Sequence, residues 1–258
     1  MNTQDSRLRK LQLIELEMLE YFDAICKKHN IPYYLIAGTA LGAIRHEGFI
    51  PWDDDIDVAL MRKDYKRFLK VAAEEYDERY FLQTYKTDGQ YHLPFTKFRR
   101  KDTLFLEPEL INLKMNHGIF IDIFCLYGVP STRILQKLHW AVLHFIKLVH
   151  AACKRLKFFK LDRLVLAIMD KMAAVFPEKL CKCRSIVFSL SPYEEEAIPV
   201  EFFGEGILWQ FEGRKYPIPT SWDSYLKHLF GDYMTPPPVD KRIPHATEYH
   251  LIGEKVGK

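Results

Sequence analysis

Four aspartates, Asp53, Asp54, Asp55 and Asp57, fall within five positions and run directly into an apolar segment, Val58-Ala59-Leu60-Met61. So many carboxylates held together repel one another strongly unless cations sit among them. In a strand, residues two apart face the same side, so Asp55 and Asp57 point at one spot. Two hard carboxylates converging at a strand end suit Mg²⁺ or Mn²⁺, ions usually shared with substrate phosphates. Upstream, Leu35-Ile36-Ala37 reads as a strand, and Gly38-Thr39 opens a helix through Ala40-Leu41-Gly42-Ala43-Ile44. The N–H groups at such a helix start favour an anion such as a phosphate. A phosphate grip beside carboxylate-bound metal is the chemistry of a transferase acting on a nucleotide donor.

Two plainer readings of the acidic cluster compete. A solvated acidic loop is the commoner use of such a run, but Phe49, Ile50, Trp52 and Ile56 flank it and argue against full exposure. A calcium loop would use Asp53, Asp55, Asp57 and Asp64 at its positions 1, 3, 5 and 12. It needs glycine at position 6, where this chain has Val58. A second informative stretch is Gly118-Ile119-Phe120-Ile121-Asp122-Ile123-Phe124-Cys125-Leu126, with one aspartate inside an otherwise apolar strand. Such a carboxylate is costly to bury unless it is paired or metal-bound.

The string GTALGAIRHEGFIPWDDDID, from Gly38 to Asp57, resembles the signature of the LicD family, phosphotransferases with a nucleotidyltransferase-like fold related to the fukutin group. Asp122 matches the third carboxylate of that pattern. The segments Tyr216-Pro217-Ile218-Pro219 and SYLKHLFGDYMTPPP, ending at Pro238, resemble the family's C-terminal signature. The likeness runs from about residue 30 to 238 and is weakest between 131 and 200. It implies an α/β (α+β) fold, a small mixed sheet of nucleotidyltransferase type flanked by helices. We expect a single catalytic domain over residues 1–258, with its core at about 5–130 and 195–240 and a helical insertion at about 131–190.

The resemblance also implies an activity: metal-dependent transfer of phosphocholine, or a similar alcohol phosphate, from a donor such as CDP-choline to a sugar hydroxyl. The acceptor would be a teichoic acid or lipopolysaccharide precursor carried on a lipid. Asp53, Asp55, Asp57 and Asp122 are the expected ligands of Mg²⁺ or Mn²⁺, with Asp122 serving as ligand or as general base. Gly38, Thr39, Arg45, Lys97 and Arg99 are the expected contacts to the donor phosphates. A quaternary ammonium would want aromatic faces, and Trp52, Tyr85, Tyr91 and Trp209 are candidates. Three alternatives stand beside this reading: transfer of a nucleoside monophosphate with release of pyrophosphate, transfer of ribitol phosphate, and a non-catalytic binder of nucleotide-activated precursors.

Along the chain, helical periodicity runs from Asp5 to His29 and stops before Pro32. Strands are expected at Tyr33–Ala37 and Asp55–Met61, a helix at Asp64–Glu75, and a strand pair over Phe81–Phe105. There Tyr91, Leu93, Phe95, Lys97 and Arg99 alternate, so Lys97 and Arg99 share one side, either gripping phosphate or lining a solvated face. Arg133 to Arg163 carries eight Lys/Arg against one acid, Asp162, with helical apolar spacing. Two or three helices are expected up to about Phe188. They either lie on an anionic membrane surface or cap the sheet with their cations solvated. A strand at Ile207–Phe211, a helix from Ser221 to Phe230 and a loose tail from His245 complete the expectation.

The net charge of +3 does not by itself imply a nucleic-acid partner. The polar start MNTQDSRLRKLQ does not read as a signal peptide, and no run of 18 apolar residues occurs. Five cysteines, Cys26, Cys125, Cys153, Cys181 and Cys183, form no spaced framework, which fits a reducing cytosol. The expected location is therefore cytoplasmic, with peripheral contact at the inner membrane face.

Overall fold

The computed structural model describes residues 3–75, 77–108, 110–186, 193–242 and 248–250. Helix α1 (Thr3–Lys28) forms because Leu8, Leu11, Met18, Phe22 and Ile25 recur at steps of three, seven, four and three residues, one face of a helix, and all five are buried. It stops where Asn30 takes φ 51°, a left-handed conformation that asparagine tolerates better than most residues. Strand β1 (Tyr34–Leu35) is shorter than expected. Helix α2 (Ala37–His46) begins two residues before Thr39 and shortens it. Gly42 on α2 lets the following loop fold back: a Cβ there would stand 2.5 Å from the Gly48 carbonyl oxygen.

Strand β2 (Asp57–Met61), helix α3 (Arg62–Glu74) and strands β3 (Tyr80–Gln83), β4 (Thr96–Arg100), β5 (Leu104–Leu106) and β6 (Phe120–Val129) follow. The main sheet runs β1-β2-β6-β4-β3. β2 and β6 are parallel, with Asp57 opposite Asp122, while β4 runs antiparallel to β6 with Lys97 opposite Asp122. The alternation expected from Tyr91 becomes a strand only at Thr96. Pro94 cannot donate to a ladder, and the Tyr91 hydroxyl donates to the Phe95 carbonyl at 2.9 Å, closing a local turn instead.

Two helices come next, α4 (Arg133–Arg155) and α5 (Phe159–Ala173). Helix was expected to about 188. Instead β7 (Cys183–Ser185) pairs with the far end of β6, Tyr127 opposite Ser185, so the segment rejoins the sheet. Short elements α6 (Tyr193–Glu196), β8 (Ile198–Pro199) and α7 (Val200–Phe203) lead to the hairpin β9 (Ile207–Phe211) and β10 (Arg214–Ile218). Helix α8 (Trp222–Phe230) follows. Part of the expected loose tail is a strand, β11 (Glu248–His250), antiparallel to β5. Residues 245–247 and 251–258 of that tail lie outside the described residues.

The two faces of the sheet follow the two-residue period of its strands. Val58, Leu60, Ile121 and Ile123 pack with Leu11, Met18 and Phe22 of α1. Ala59, Phe124 and Leu126 pack with Leu41 of α2 and Tyr225 and Leu226 of α8. A third cluster joins Tyr127 and Val129 to Leu143, Leu166 and Met169 of α4 and α5. Asp57 and Asp122 share their strand parity with Ala59 and Phe124, so both turn toward the α2 side.

Candidate active site

The acidic site sits where β2 and β6 begin, and backbone pairing sets it. Register places Asp57 and Asp122 side by side, and adjacent strands are only about 4.8 Å apart. Thr39, buried on α2, accepts the Asp57 backbone N–H on its Oγ1 at 2.8 Å. Its hydroxyl oxygen thus fixes the strand start and is not turned out to solvent as a phosphate contact. Gly38 lies against the cluster, since a Cβ there would be 3.0 Å from Asp53 Oδ2. The first amide of α2, Ala37 N–H, donates to the Tyr225 hydroxyl at 3.1 Å.

Crowding of like charges shows in the proton affinities. Burial, then Asp55, Asp122 and Asp53, push the Asp57 carboxyl well above its ordinary range. Burial raises Asp122 to about 7, against the opposing pull of Lys97 and with the help of Asp55. Lys97 Nζ stands 3.0 Å from Asp122 Oδ1 and 3.1 Å from Glu107 Oε1, and 3.1 Å from the Phe120 ring centroid. Burial acts to raise Glu107, but Lys97 and Arg99 outweigh it and hold that carboxyl low.

Lys97 and Arg99 do share one side of a strand, and both are buried, which removes the solvated-face reading. Arg99, however, spends its guanidinium inside the protein. It donates to Gln83, to the Gly118 carbonyl at 2.6 Å and to Glu107 at 2.9 Å. A phosphate grip by Arg99 is therefore corrected: it anchors Glu107, which in turn holds Lys97 against Asp122. Arg45, the expected phosphate contact, lies within electrostatic reach of Asp53. Its Nη1 donates to the Tyr233 carbonyl at 2.9 Å, and burial and the nearby Arg242 lower its proton affinity while Asp53 opposes them.

Two site residues escaped the sequence reading. Arg242 lies over the Trp52 ring at 4.8 Å and close to Arg45, yet it follows a proline-rich stretch some 190 residues downstream, with no motif to flag it. Glu15 on α1 is fully buried, and neither carboxyl oxygen has a hydrogen-bond partner. Burial, then Asp55, Asp54 and Asp53, push it well above its ordinary range. One turn earlier, Gln12 donates to the Asp53 carbonyl at 2.9 Å, so α1 underlies the acidic loop. A signal for Glu15 did exist. It occupies a core position in the Leu11, Met18, Leu19, Phe22 series.

The four candidate aromatics do not converge. Trp52 packs with the α2–α8 cluster, Trp209 with the α1 cluster against Trp222 at 5.5 Å, and Tyr85 beside α5. Tyr91 is buried, with its hydroxyl used internally. Tyr85 lines a cavity of about 140 Å³ with Tyr65, Tyr127 and Asp170, but Arg62 and Lys86 also line it and would repel a quaternary ammonium.

Among the described residues, no three His, Cys, Asp or Glu side chains close a ready-made metal shell. Mg²⁺ does not require one, because it is commonly held by one or two carboxylates plus waters and substrate phosphates. Hard oxygen donors, crowded so that their proton affinity rises, fit such an ion: a divalent cation removes the repulsion that burial intensifies.

A paired set of carboxylates on parallel strands beside a helix start, rimmed by arginines, is the layout of an enzyme that transfers phosphorus-containing groups. The chain belongs to the LicD family: the model for the LicD/FKTN/FKRP nucleotidyltransferase domain matches residues 30–161. It is 35% identical, over 95% of its length and 98% of the relative's, to the lipopolysaccharide cholinephosphotransferase LicD of Haemophilus influenzae. Over 48% of the chain it is 24% identical to the mouse ribitol 5-phosphate transferase FKRP, covering 22% of that protein. Over 23% it is 34% identical to mouse FKTN, a ribitol-5-phosphate transferase, covering 13% of it. The chain is thus a member of a family whose named relatives are transferases.

Proposed function

We propose that the chain transfers phosphocholine from CDP-choline, or a related alcohol phosphate from its CDP derivative, to a sugar hydroxyl of a cell-surface glycopolymer precursor. We read it as one catalytic domain, working where lipid-linked precursors are assembled at the cytoplasmic membrane face. The observation that carries the reading is the Asp57–Asp122 register pair beside the start of α2. It is supported by the near full-length likeness to a protein named a cholinephosphotransferase.

Asp55 and Asp57, with Asp53 assisting, would hold Mg²⁺ or Mn²⁺, which when bound supplies charge neutralisation for the donor's phosphates. The start of α2, Arg45 and Arg242 receive the diphosphate and balance the negative charge that grows on the departing CMP. The acceptor oxygen bonds to the phosphorus bearing the alcohol, the bond from that phosphorus to the CMP oxygen breaks, and the hydroxyl proton leaves to a carboxylate. Asp122 either completes the cation's shell or takes that proton, with Lys97 stabilising its anion in both cases.

The mouse relatives' names favour ribitol phosphate as the second donor to test, and the family model's description favours nucleotidyl transfer as the second reaction. One experiment addresses both. The full chain is incubated with Mg²⁺, lipopolysaccharide or a teichoic-acid precursor, and CDP-choline, CDP-ribitol or CTP, and the acceptor is weighed by mass spectrometry. Gain of phosphocholine with release of CMP is expected. Gain of a CMP moiety with release of pyrophosphate would overturn the reading.

A further inference from the structure

Helices on a protein surface normally turn their charged side chains to water and their apolar stripe inward. Helix α4 does otherwise. Ile134, Leu138, Phe145 and Leu148 form one stripe at steps of four, seven and three residues, and are 82%, 61%, 67% and 53% exposed. The opposite face, with His139, Leu143 and Cys153, is the one that is buried. Helix α5 repeats the pattern with Leu161, Leu164 and Ile168 exposed, and Leu156 and Phe158 in the connection are exposed as well. An apolar face of that extent marks an interaction surface. None of the described helices is long and apolar enough to cross a membrane.

The charges around this face select its partner. Residues 131–177 hold nine Lys/Arg and two acids, Asp162 and Asp170. Both acids are paired: Asp162, buried, with His150 at 2.6 Å, and Asp170, partly exposed, with Arg62 at 3.1 Å and the Tyr127 hydroxyl at 2.8 Å. The exposed rim is therefore predominantly cationic, and a second copy of the same face would meet it with like charge. At the hairpin tip a groove of about 770 Å³ is lined by Lys114, Lys157, Lys160 and Arg163 together with Phe158 and Leu161, which suits a phosphate head with an apolar stem.

We propose that the α4–α5 hairpin docks the enzyme on an anionic phospholipid bilayer. Its two apolar stripes enter the boundary between headgroups and acyl chains, and its Lys and Arg side chains lie among the headgroup phosphates. This is the behaviour of an interfacial amphipathic element, whose binding adds apolar burial to attraction by anionic lipid. The hairpin is tied to the catalytic half. Arg163 donates to the carbonyls of Tyr85 and Lys86, at 2.8 and 2.9 Å, in the connection that leads to β4 and Lys97. Docking there would hold the acidic site at a constant height above the surface. The inference stands apart from the choice of donor and acceptor.

The test is flotation of the full chain with phosphatidylglycerol-containing vesicles and with pure phosphatidylcholine vesicles. Wild type should float with the anionic vesicles, with at least tenfold weaker partitioning onto the neutral ones and a marked loss at high salt. Leu138→Glu/Phe145→Glu should lose the anionic vesicles at least tenfold while keeping the wild-type circular dichroism and melting temperature. Lys157→Glu/Lys160→Glu, which leaves the apolar stripes intact, should give an intermediate loss. Wild type that stays unbound, or a Leu138→Glu/Phe145→Glu protein that binds like wild type, would overturn the proposal. So would a wild-type dimer in light scattering that these same substitutions dissociate, since the face would then be a self-association surface. Transfer to a water-soluble acceptor, unchanged in these variants, separates failure of docking from failure of the catalytic reading.

Discussion

Asp57 and Asp122 face each other across two parallel strands, so the backbone ladder holds together two carboxylates that repel. Burial raises both: Asp57 further through Asp55 and Asp122, and Asp122, to about 7, against the pull of Lys97 and with the help of Asp55. A carboxyl raised in the folded state binds its proton more tightly there than in the unfolded chain, so folding stability falls as pH rises from the ordinary carboxyl value to the raised one. For Asp122 the loss between about pH 4 and 7 amounts to at most about 4 kcal/mol. Glu107, held low by Lys97 and Arg99 against its burial, contributes with the opposite sign. The readout is therefore the difference between proteins. Without divalent ions, Asp122→Asn should lose less stability than wild type between those pH values in urea melts. Parallel pH profiles would refute the assignment.

The same crowding predicts what a cation does. Mn²⁺ titrated into wild type at neutral pH should lose its free EPR signal, and Asp57→Asn should weaken that binding at least tenfold. Activity in this variant should fall by about 10²–10³, the scale of lost electrostatic stabilisation in such sites. Asp122→Asn decides its own role. Retained Mn²⁺ affinity with lost turnover identifies it as the base, and loss of both as a ligand.

Lys97 is the counter-charge on which Asp122 and Glu107 both depend, with its Nζ about equally far from each. Removing one member of a buried ion network leaves the others uncompensated, at about 3–5 kcal/mol. Lys97→Met should be destabilised by that order in chemical denaturation and should lose activity. Arg99→Met should destabilise comparably, since Glu107 and Gln83 lose their shared donor. A Lys97→Met protein as stable as wild type would mean that the network is not formed in solution.

Much of this centre was legible in the sequence because local chemistry carries it. Asp57 follows from its place at the head of an apolar run and Asp122 from an acid inside one. The strand expected from Asp55 begins only at Asp57, so alternation does not place Asp55, and Thr39, expected at a phosphate, holds the Asp57 amide instead. What could not be read depends on distant pairing. β7 joins the sheet only because residues 183–185 meet the far end of β6, and its short polar sequence has no strand period. Arg99 looked like a phosphate grip because alternation gives a side and not a partner. Gly118, Glu107 and Gln83 meet it only in the folded chain.

Glu15 offers a test of the support beneath the site. A buried carboxyl with no partner and acidic neighbours is held neutral at the expense of stability as pH rises, since the unfolded chain ionises it freely. Glu15→Gln removes that pH dependence and keeps the shape. Its melting temperature should exceed that of wild type at about pH 8 and match it at about pH 5. Equal melting temperatures at the higher pH would show that Glu15 is compensated in solution by a group the carboxyl does not meet in this structure.

Arg242 and Arg45 repel each other, and each has a separate anchor: Arg45 on the Tyr233 carbonyl, and Arg242 on the Pro237 carbonyl at 2.9 Å and over Trp52. Two guanidinium groups that feel each other's charge offer a diphosphate charge-assisted hydrogen bonds from both. Arg242→Ala should therefore weaken CDP-choline binding in calorimetry about tenfold, while binding of free choline stays unchanged. Arg242→Lys should recover only part of the loss, because an ammonium cannot stack on Trp52 and donate as a planar fork. Because the like charge that lowers Arg45 is removed, the unliganded Arg242→Ala protein should melt no lower than wild type. A variant that melts lower and binds the donor normally would assign Arg242 to packing on Trp52 instead of to the donor.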